Sequence, residues 1–243
     1  MQGNLPKEHF EQLNRIIELG KYRQTKEVST QTYTLQLPAE YKPLWIAKNT
    51  PDYRNAHHYL KQRGVTVFDI LKYRIGYCEA GEYSGKIIIP SYDCDGQLNY
   101  FVSRAYYKSD KQKHKNPKVS KDVIGFDLFI NWSQPIILCE GAFDAMAIKR
   151  NAIPLFGKKI STTLMKKIIK SNVEKVYLAL DEDALKDAFN HAETFMSYGK
   201  RVYLIEMGDK DPSELGFETF TKLLHNATEL TTSLLMKKRL ALS

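Results

Sequence analysis

Three short acidic runs carry the chemistry available to this sequence: Glu140-Gly141-Ala142-Phe143-Asp144, Asp181-Glu182-Asp183, and Glu206-Met207-Gly208-Asp209-Lys210-Asp211. Each follows directly on an apolar stretch, at residues 136–139, 176–180 and 202–205. Gly141 permits a tight turn, which puts Asp144 one turn into a following helix on the side of Glu140. Asp181 and Asp183, two apart on extended backbone, are expected to send their carboxylates to one side while Glu182 points away. Carboxylates this close repel and raise one another's pKa. A divalent cation with oxygen ligands, Mg²⁺ or Mn²⁺, is the natural counter-charge, and Glu140, Asp181, Asp183 and Asp211 are the expected metal set. The plainer role for such residues is to cap helices and face their dipoles. Capping accounts well for Asp144 or Asp183 alone, and poorly for a set placed after three separate strands.

A second constellation is cationic. The formal net charge is +8, and residues 104–121 hold seven Lys or Arg against the single Asp110, so most of the surplus sits in eighteen residues. Tyr106, Tyr107, His114 and Asn116 lie among these cations. Aromatic rings between positive charges suit a single-stranded polynucleotide, whereas composition alone also fits a solvated charge run.

The elements that must position these groups are legible from periodicity. From residue 135 onward, apolar runs at 136–139, 153–156, 176–180 and 202–205 alternate with helical patterns at 142–150, 162–171, 184–198 and 213–224. Strands rich in Ile, Val and Leu with helices between them predict a parallel sheet covered on both faces. Its ligand site is expected beyond the carboxyl ends of the strands, where the acidic runs fall. Upstream, residues 85–90 and 98–102 read as a β-hairpin turned by Asp95-Gly96, and the basic segment follows at once. Helices are expected at 52–61, ended by Arg63-Gly64, and at 67–72. Phe10, Leu13, Ile16 and Ile17 mark a helix over 7–19, followed by a polar linker.

With 243 residues, 43% of them hydrophobic and 26% charged, the composition is that of a globular protein, and no apolar run approaches a membrane span. The amino terminus shows no export signal, so the expected compartment is the cytoplasm. Cys78, Cys94 and Cys139 are odd in number and lack metal-ligand spacing; neither a disulfide scaffold nor a zinc site is expected. Met146, Ile148, Leu164 and Cys139 read as core, and Trp45 and Trp132 as packing residues.

Glu140-Gly141-x-x-Asp144 after one strand and Asp181-x-Asp183 after another resemble the TOPRIM module of primases, topoisomerases and some nucleases. Further residues narrow the resemblance. Tyr59 to Gly64, Tyr73-Arg74-Ile75-Gly76-Tyr77, Lys86 to Pro90, and Val102-Ser103-Arg104-Ala105 are similar to the amino-terminal half of the bacterial-type primase polymerase core. Lys113-His114-Lys115-Asn116-Pro117 and Lys121 stand where that family has a Lys-Tyr-x-Asn signature and a second lysine. Leu155-Phe156-Gly157 and Lys210-Asp211-Pro212 match its later landmarks, over about residues 55–216, and the shorter phage primases are the most similar.

The resemblance implies an α/β fold: a helix and linker (1–50), a mixed α+β subdomain (51–133), a Rossmann-like TOPRIM sheet with flanking helices (134–216) and a helical tail (217–243). It implies metal-dependent synthesis of RNA primers on single-stranded DNA in DNA replication. Glu140 is then an acid/base or metal-organising residue. Asp181 and Asp183, with Asp144 and Asp211, hold metal and the triphosphate, and Arg104, Lys113, Asn116 and Lys121 contact NTP phosphate or template. Implied partners are single-stranded DNA, NTPs, a replicative helicase and a separate zinc-bearing initiation subunit, since no amino-terminal zinc domain is seen. Ser213 replaces a usual second Asp, with Asp209 a possible substitute. A nuclease, a topoisomerase and a non-catalytic DNA-binding subunit are the alternatives.

Overall fold

The computed structural model describes residues 35–241, apart from the side chains of residues 182 and 183. The helix expected over 7–19 and the polar stretch after it lie outside the described residues. From Leu35 onward the chain forms one compact unit, and none of its described helices is long and apolar enough to cross a membrane.

The first sheet is antiparallel, ordered β1 (Tyr41–Pro43), β2 (Gly76–Cys78), β3 (Lys86–Tyr92), β4 (Leu98–Ala105). Helices α1 (Pro51–Gln62) and α2 (Val67–Lys72) fall between β1 and β2. Thr50 caps α1 by accepting the N–H of Tyr53 at 3.2 Å, with Pro51 at the first turn. Thr66 and Asp69 form a reciprocal capping box on α2. The β3–β4 turn is set by Asp93, whose Oδ1 accepts the N–H groups of Asp95 at 3.0 Å and Gln97 at 2.9 Å. The predicted hairpin is therefore present and longer than expected. Strands β1 and β2 were not predicted. Three residues are too short to show a period, and β1 falls in what read as linker.

The second sheet is ordered β6-β5-β7-β8-β9. Strands β5 (Ile136–Cys139), β6 (Ala152–Pro154), β7 (Lys175–Ala179) and β8 (Arg201–Leu204) are parallel, as predicted, and β9 (Thr228–Glu229) adds an unpredicted antiparallel edge. Its helices are α3 (Ala142–Ile148), α4 (Thr162–Lys170), α5 (Glu182–Ser197), α6 (Pro212–His225) and α7 (Thr232–Ala241). Helix α6 runs across the expected boundary at 216/217 and kinks at Gly216, where φ is 73°. The carboxyl-terminal part is thus a strand and a helix rather than a helical tail alone.

One expectation about the site is corrected here. Asp183 is not on extended backbone beside Asp181. Helix α5 begins at Glu182, because the Asp181 carbonyl already accepts the N–H groups of Ala184 and Leu185, each at 3.0 Å. The backbone at 183 is already helical, so the strand alternation argument does not apply there.

Packing joins the two sheets. On β5, Ile137 and Cys139 face a cluster that contains Tyr77, Ile87, Ile89 and Tyr100 of the first sheet, whereas Ile136 and Leu138 face the α4 and α5 side. Burying each such side chain contributes roughly 1.5–3 kcal/mol. At the seam, a Cβ on Gly125 would lie 2.2 Å from the Pro154 carbonyl oxygen, so the connecting segment passes closer to β6 than any other residue allows. Met146, Ile148 and Leu164 are buried as expected, and Trp132 packs while donating its indole N–H to Asp127 at 2.8 Å. Trp45, by contrast, is exposed. The sheet seam therefore sets β4 and the basic segment over the carboxyl ends of β5 and β7.

Candidate functional site

Four carboxylates from three strand ends border one cleft of about 280 Å³. Glu140 follows β5 and accepts the backbone N–H of Asp181 on Oε1 at 3.0 Å. Asp144, in the first turn of α3, turns back to accept the Gly141 N–H at 2.9 Å. A Cβ at position 141 would meet that same oxygen at 2.9 Å, so glycine lets the carboxylate approach the turn. Asp144 is 8% exposed. Burial, then the charge of Asp211 and more weakly that of Glu140, push its carboxyl up to about 7 against the opposing N–H groups of Gly141 and Ser213.

Asp211 and Asp181 both precede helices but behave differently. Asp211 caps α6: its Oδ1 accepts the N–H of Glu214 and the hydroxyl of Ser213, each at 2.8 Å. Ser213 thus orients its neighbour. Asp209 is exposed on the preceding turn and does not line the cleft. Asp181 makes no side-chain cap bond, so its carboxylate is not committed to α5. Capping accounts for Asp211, partly for Asp144, and not for Asp181.

The opposite wall comes from β4 and the basic segment, with Arg104, His114 and Asn116 facing the carboxylates. The segment is zipped to β4. Asn116 Oδ1 accepts the Ser103 N–H at 3.0 Å, Ser103 Oγ donates to the Lys115 carbonyl at 2.6 Å, and Ala105 N–H donates to the Lys113 carbonyl at 3.0 Å. Burial and the charges of Arg104, Arg63 and Lys113 hold the His114 imidazole below its ordinary pKa. Lys86, which is buried, pairs with Asp110, the segment's only acid.

Arg104 also borders a second groove of about 620 Å³, walled by Tyr59, Arg63, Tyr107, Lys108 and Lys113. Its Nε donates to the Tyr59 hydroxyl at 3.2 Å. The Arg63 guanidinium lies 5.6 Å from the Tyr59 ring and 5.2 Å from the Phe143 ring, so α1 touches α3 here. Asp52 holds the aromatic side, accepting the Tyr106 hydroxyl at 2.7 Å and the Tyr107 hydroxyl at 2.9 Å. Arg63, Phe143 and Asp52 were not expected as site residues from sequence. Phe143 sits inside the acidic motif, and only the packing of α1 on α3 gives it a partner.

The expected site residues therefore divide. Glu140, Asp144, Asp181, Asp211, Arg104 and Asn116 converge on the cleft, and Lys113 lines the adjoining groove. Lys121 does not line the cleft itself: its ammonium donates at 2.8 Å to the carbonyl of Phe156, a residue of the cleft wall, and borders a hollow with Lys158 and Lys159. The Asp183 side chain is outside the described residues. Among the described residues, no three His, Cys, Asp or Glu side chains gather tightly enough to form a ready metal cage.

No family model matches the chain. It is 30% identical over 177 residues to the uncharacterized protein MG010 of Mycoplasma genitalium, covering 67% of this chain and 80% of that protein. It is 32% identical over 139 residues to the uncharacterized MG010 homolog of Mycoplasma pneumoniae, covering 54% of this chain and 65% of that one. Among solved structures, a DnaG primase catalytic domain bound to ssDNA superposes with a TM-score of 0.67 at 18% identity, covering 79% of this chain and 77% of that one. The E. coli primase catalytic core gives 0.65 at 18% identity, over 79% and 78%. The Aquifex aeolicus primase, with zinc-binding and RNA polymerase domains, gives 0.62 at 21%, over 73% and 57%. Folded as the bacterial primase catalytic core is folded, the chain belongs to the family of the mycoplasma protein MG010.

Proposed function

We propose that this chain is a DNA primase catalytic core that joins ribonucleotides on a single-stranded DNA template, with the carboxylate rim as a TOPRIM-type site. The observation that carries the reading is the convergence of Glu140, Asp144, Asp181 and Asp211 on a cleft whose far wall is Arg104 and Asn116. Arg104 leads from that cleft into the cationic, aromatic groove. An acidic rim beside a basic wall suits a triphosphate held between cation and arginine, and rings between cations suit unpaired bases.

The donor set is oxygen-only, and four carboxylates bordering one cleft make a place where positive charge is wanted. An open site of this kind fits Mg²⁺ or Mn²⁺, which bind through one or two carboxylates plus substrate phosphates rather than in a closed cage. Asp181, Asp144 and Asp211 would hold the ion, with Asp183 at the start of α5. When bound, it would lower the pKa of the attacking hydroxyl and offset charge on the phosphoryl oxygens.

In this scheme a ribonucleotide 3′-oxygen forms a bond to the α-phosphorus of an incoming NTP, the bond to the β-phosphate bridge breaks, and diphosphate leaves. The hydroxyl proton passes to a carboxylate of the cluster. Glu140, fixed by the Asp181 N–H, is the acid/base candidate. Arg104 and Asn116 orient the triphosphate, and Lys113 and Arg63 follow the template backbone.

Labelled NTPs, single-stranded template and Mg²⁺ or Mn²⁺ test this directly. Short oligoribonucleotides that vanish in Asp181→Ala support the primase. Template cleavage indicates a nuclease, and DNA binding without synthesis in native protein indicates a non-catalytic subunit; either overturns the proposal.

A further inference from the structure

We propose that His114 is a positioning residue of this site, whose neutral imidazole holds the Arg104 guanidinium at the cleft wall to meet the phosphates of a nucleoside triphosphate. The inference rests on the primer-synthesis reading and adds to it a residue and a dependence on pH.

The backbone brings the two side chains together. Arg104, near the end of β4, and His114, in the basic segment, form an antiparallel bridge. On either side of it, the Ala105 N–H donates to the Lys113 carbonyl at 3.0 Å, and Ser103 Oγ donates to the Lys115 carbonyl at 2.6 Å while accepting the Lys115 N–H at 3.1 Å. Residues directly opposite in such a pair carry their side chains on one face, with Cβ atoms roughly 4.5–5.5 Å apart. The guanidinium uses Nη1 toward the His114 Nε2 and donates from Nε to the Tyr59 hydroxyl at 3.2 Å. Arginine has donors and no acceptor, so the imidazole nitrogen it meets must accept and carry no proton. Arg104 and His114 both border the carboxylate cleft.

Neither of these two partners of the arginine is anionic. A carboxylate in their place would fix the guanidinium and cancel its charge, whereas a hydroxyl and a neutral ring fix it and leave the charge for a phosphate. Protonation of His114 undoes this, because the acceptor is lost and one cation then opposes another. The surroundings favour the neutral ring. Partial burial, then the charges of Arg104 on β4, Arg63 at the end of α1 and the adjacent Lys113, hold the imidazole below its ordinary pKa. The rim carboxylates Glu140, Asp144, Asp181 and Asp211 act in the opposite sense from the other border of the cleft. His114 stays in part exposed to solvent, so protons reach it and acidification releases Arg104.

The test is a double-mutant cycle on the full chain, read by calorimetry of inorganic tripolyphosphate with Mg²⁺. His114→Leu fills a similar volume without an acceptor, and about fivefold weaker binding is expected, the share of one hydrogen bond. In an Arg104→Met background the same substitution should cause no further loss, because His114 acts through Arg104. His114→Gln keeps an acceptor, takes up no proton and should restore most of the lost affinity. Primer synthesis supplies the pH readout: the ratio of native to His114→Gln kcat is expected to fall about fivefold from pH 8 to pH 5. A ratio constant with pH, equal losses in the two Arg104 backgrounds, or native affinity in His114→Leu each overturns the proposal. Should the cycle couple the two residues while native protein makes no primers, the His114–Arg104 clamp stands and the primase reading fails. Primers made by native protein with an uncoupled cycle give the reverse.

Discussion

The Glu140 carboxylate accepts the backbone N–H of Asp181 at 3.0 Å, tying the residue after β5 to the N-cap of α5 after β7. The bond spans 41 positions of chain and holds the two central strand ends of the parallel sheet in register at the rim. It also leaves the Asp181 side chain facing the cleft.

Glu140→Gln keeps an acceptor for that N–H and removes the negative charge. Primer synthesis is expected to fall about 10²–10⁴-fold with the melting temperature nearly unchanged. Glu140→Ala should lose both activity and some stability. Equal activity in native and Gln proteins, measured by primer yield, would remove Glu140 from catalysis.

Asp181 and Asp211 should separate activity from stability. Asp181→Asn abolishes synthesis while costing less than about 1 kcal/mol, the share of a charge at a helix start. Asp211→Ala loses synthesis and about 1 kcal/mol of stability, because its oxygen caps α6. Urea unfolding of both variants beside the primer assay checks the contrast.

Asp144 makes stability depend on pH with a definite sign. Its carboxyl sits at about 7 in the folded protein and near the ordinary 3.8 once unfolded. Between those values the folded state binds a proton that the unfolded state lacks, so stability falls as pH rises from about 4 to about 7. Asp144→Asn has no such titration. Its stability gain over native protein should grow across that window, by roughly 1–4 kcal/mol, and level off above it. Unfolding in chelator at pH 4, 6 and 8 gives the measurement; a gain independent of pH contradicts it.

The basic segment yields a split between two lysines. Lys113 lines the groove, so Lys113→Ala should weaken single-stranded DNA binding and reduce the salt slope by about 0.7. Lys121 donates to the Phe156 carbonyl and lies outside the groove. Lys121→Ala is therefore expected to leave the slope unchanged and act through the Phe156-Gly157 turn. Identical slopes for both variants would place them on one surface.

Much of this protein was readable before folding. The alternation of apolar runs and helical patterns after residue 135 predicts the four parallel strands because burial on both faces demands continuous Ile, Val and Leu. The acidic runs then fall at the carboxyl ends by chain order alone. The backbone at Asp183 is helical rather than extended, because pleat geometry was carried one residue past the point where a helix begins. Strands β1, β2 and β9 went unseen because two or three residues carry no periodicity. The division of Lys113 from Lys121 was invisible for another reason. Eight residues apart in one charge run, they differ only in what the chain folds against.

By itself the sequence determined the parallel sheet, the carboxylate positions and the concentration of positive charge, since each is a local pattern of residue types. Tertiary structure alone decided that Arg104 and Glu140 border one cleft and that Arg63 meets Phe143. Those relationships depend on how β5 is buried against the first sheet, an outcome of packing between segments that have no sequence proximity.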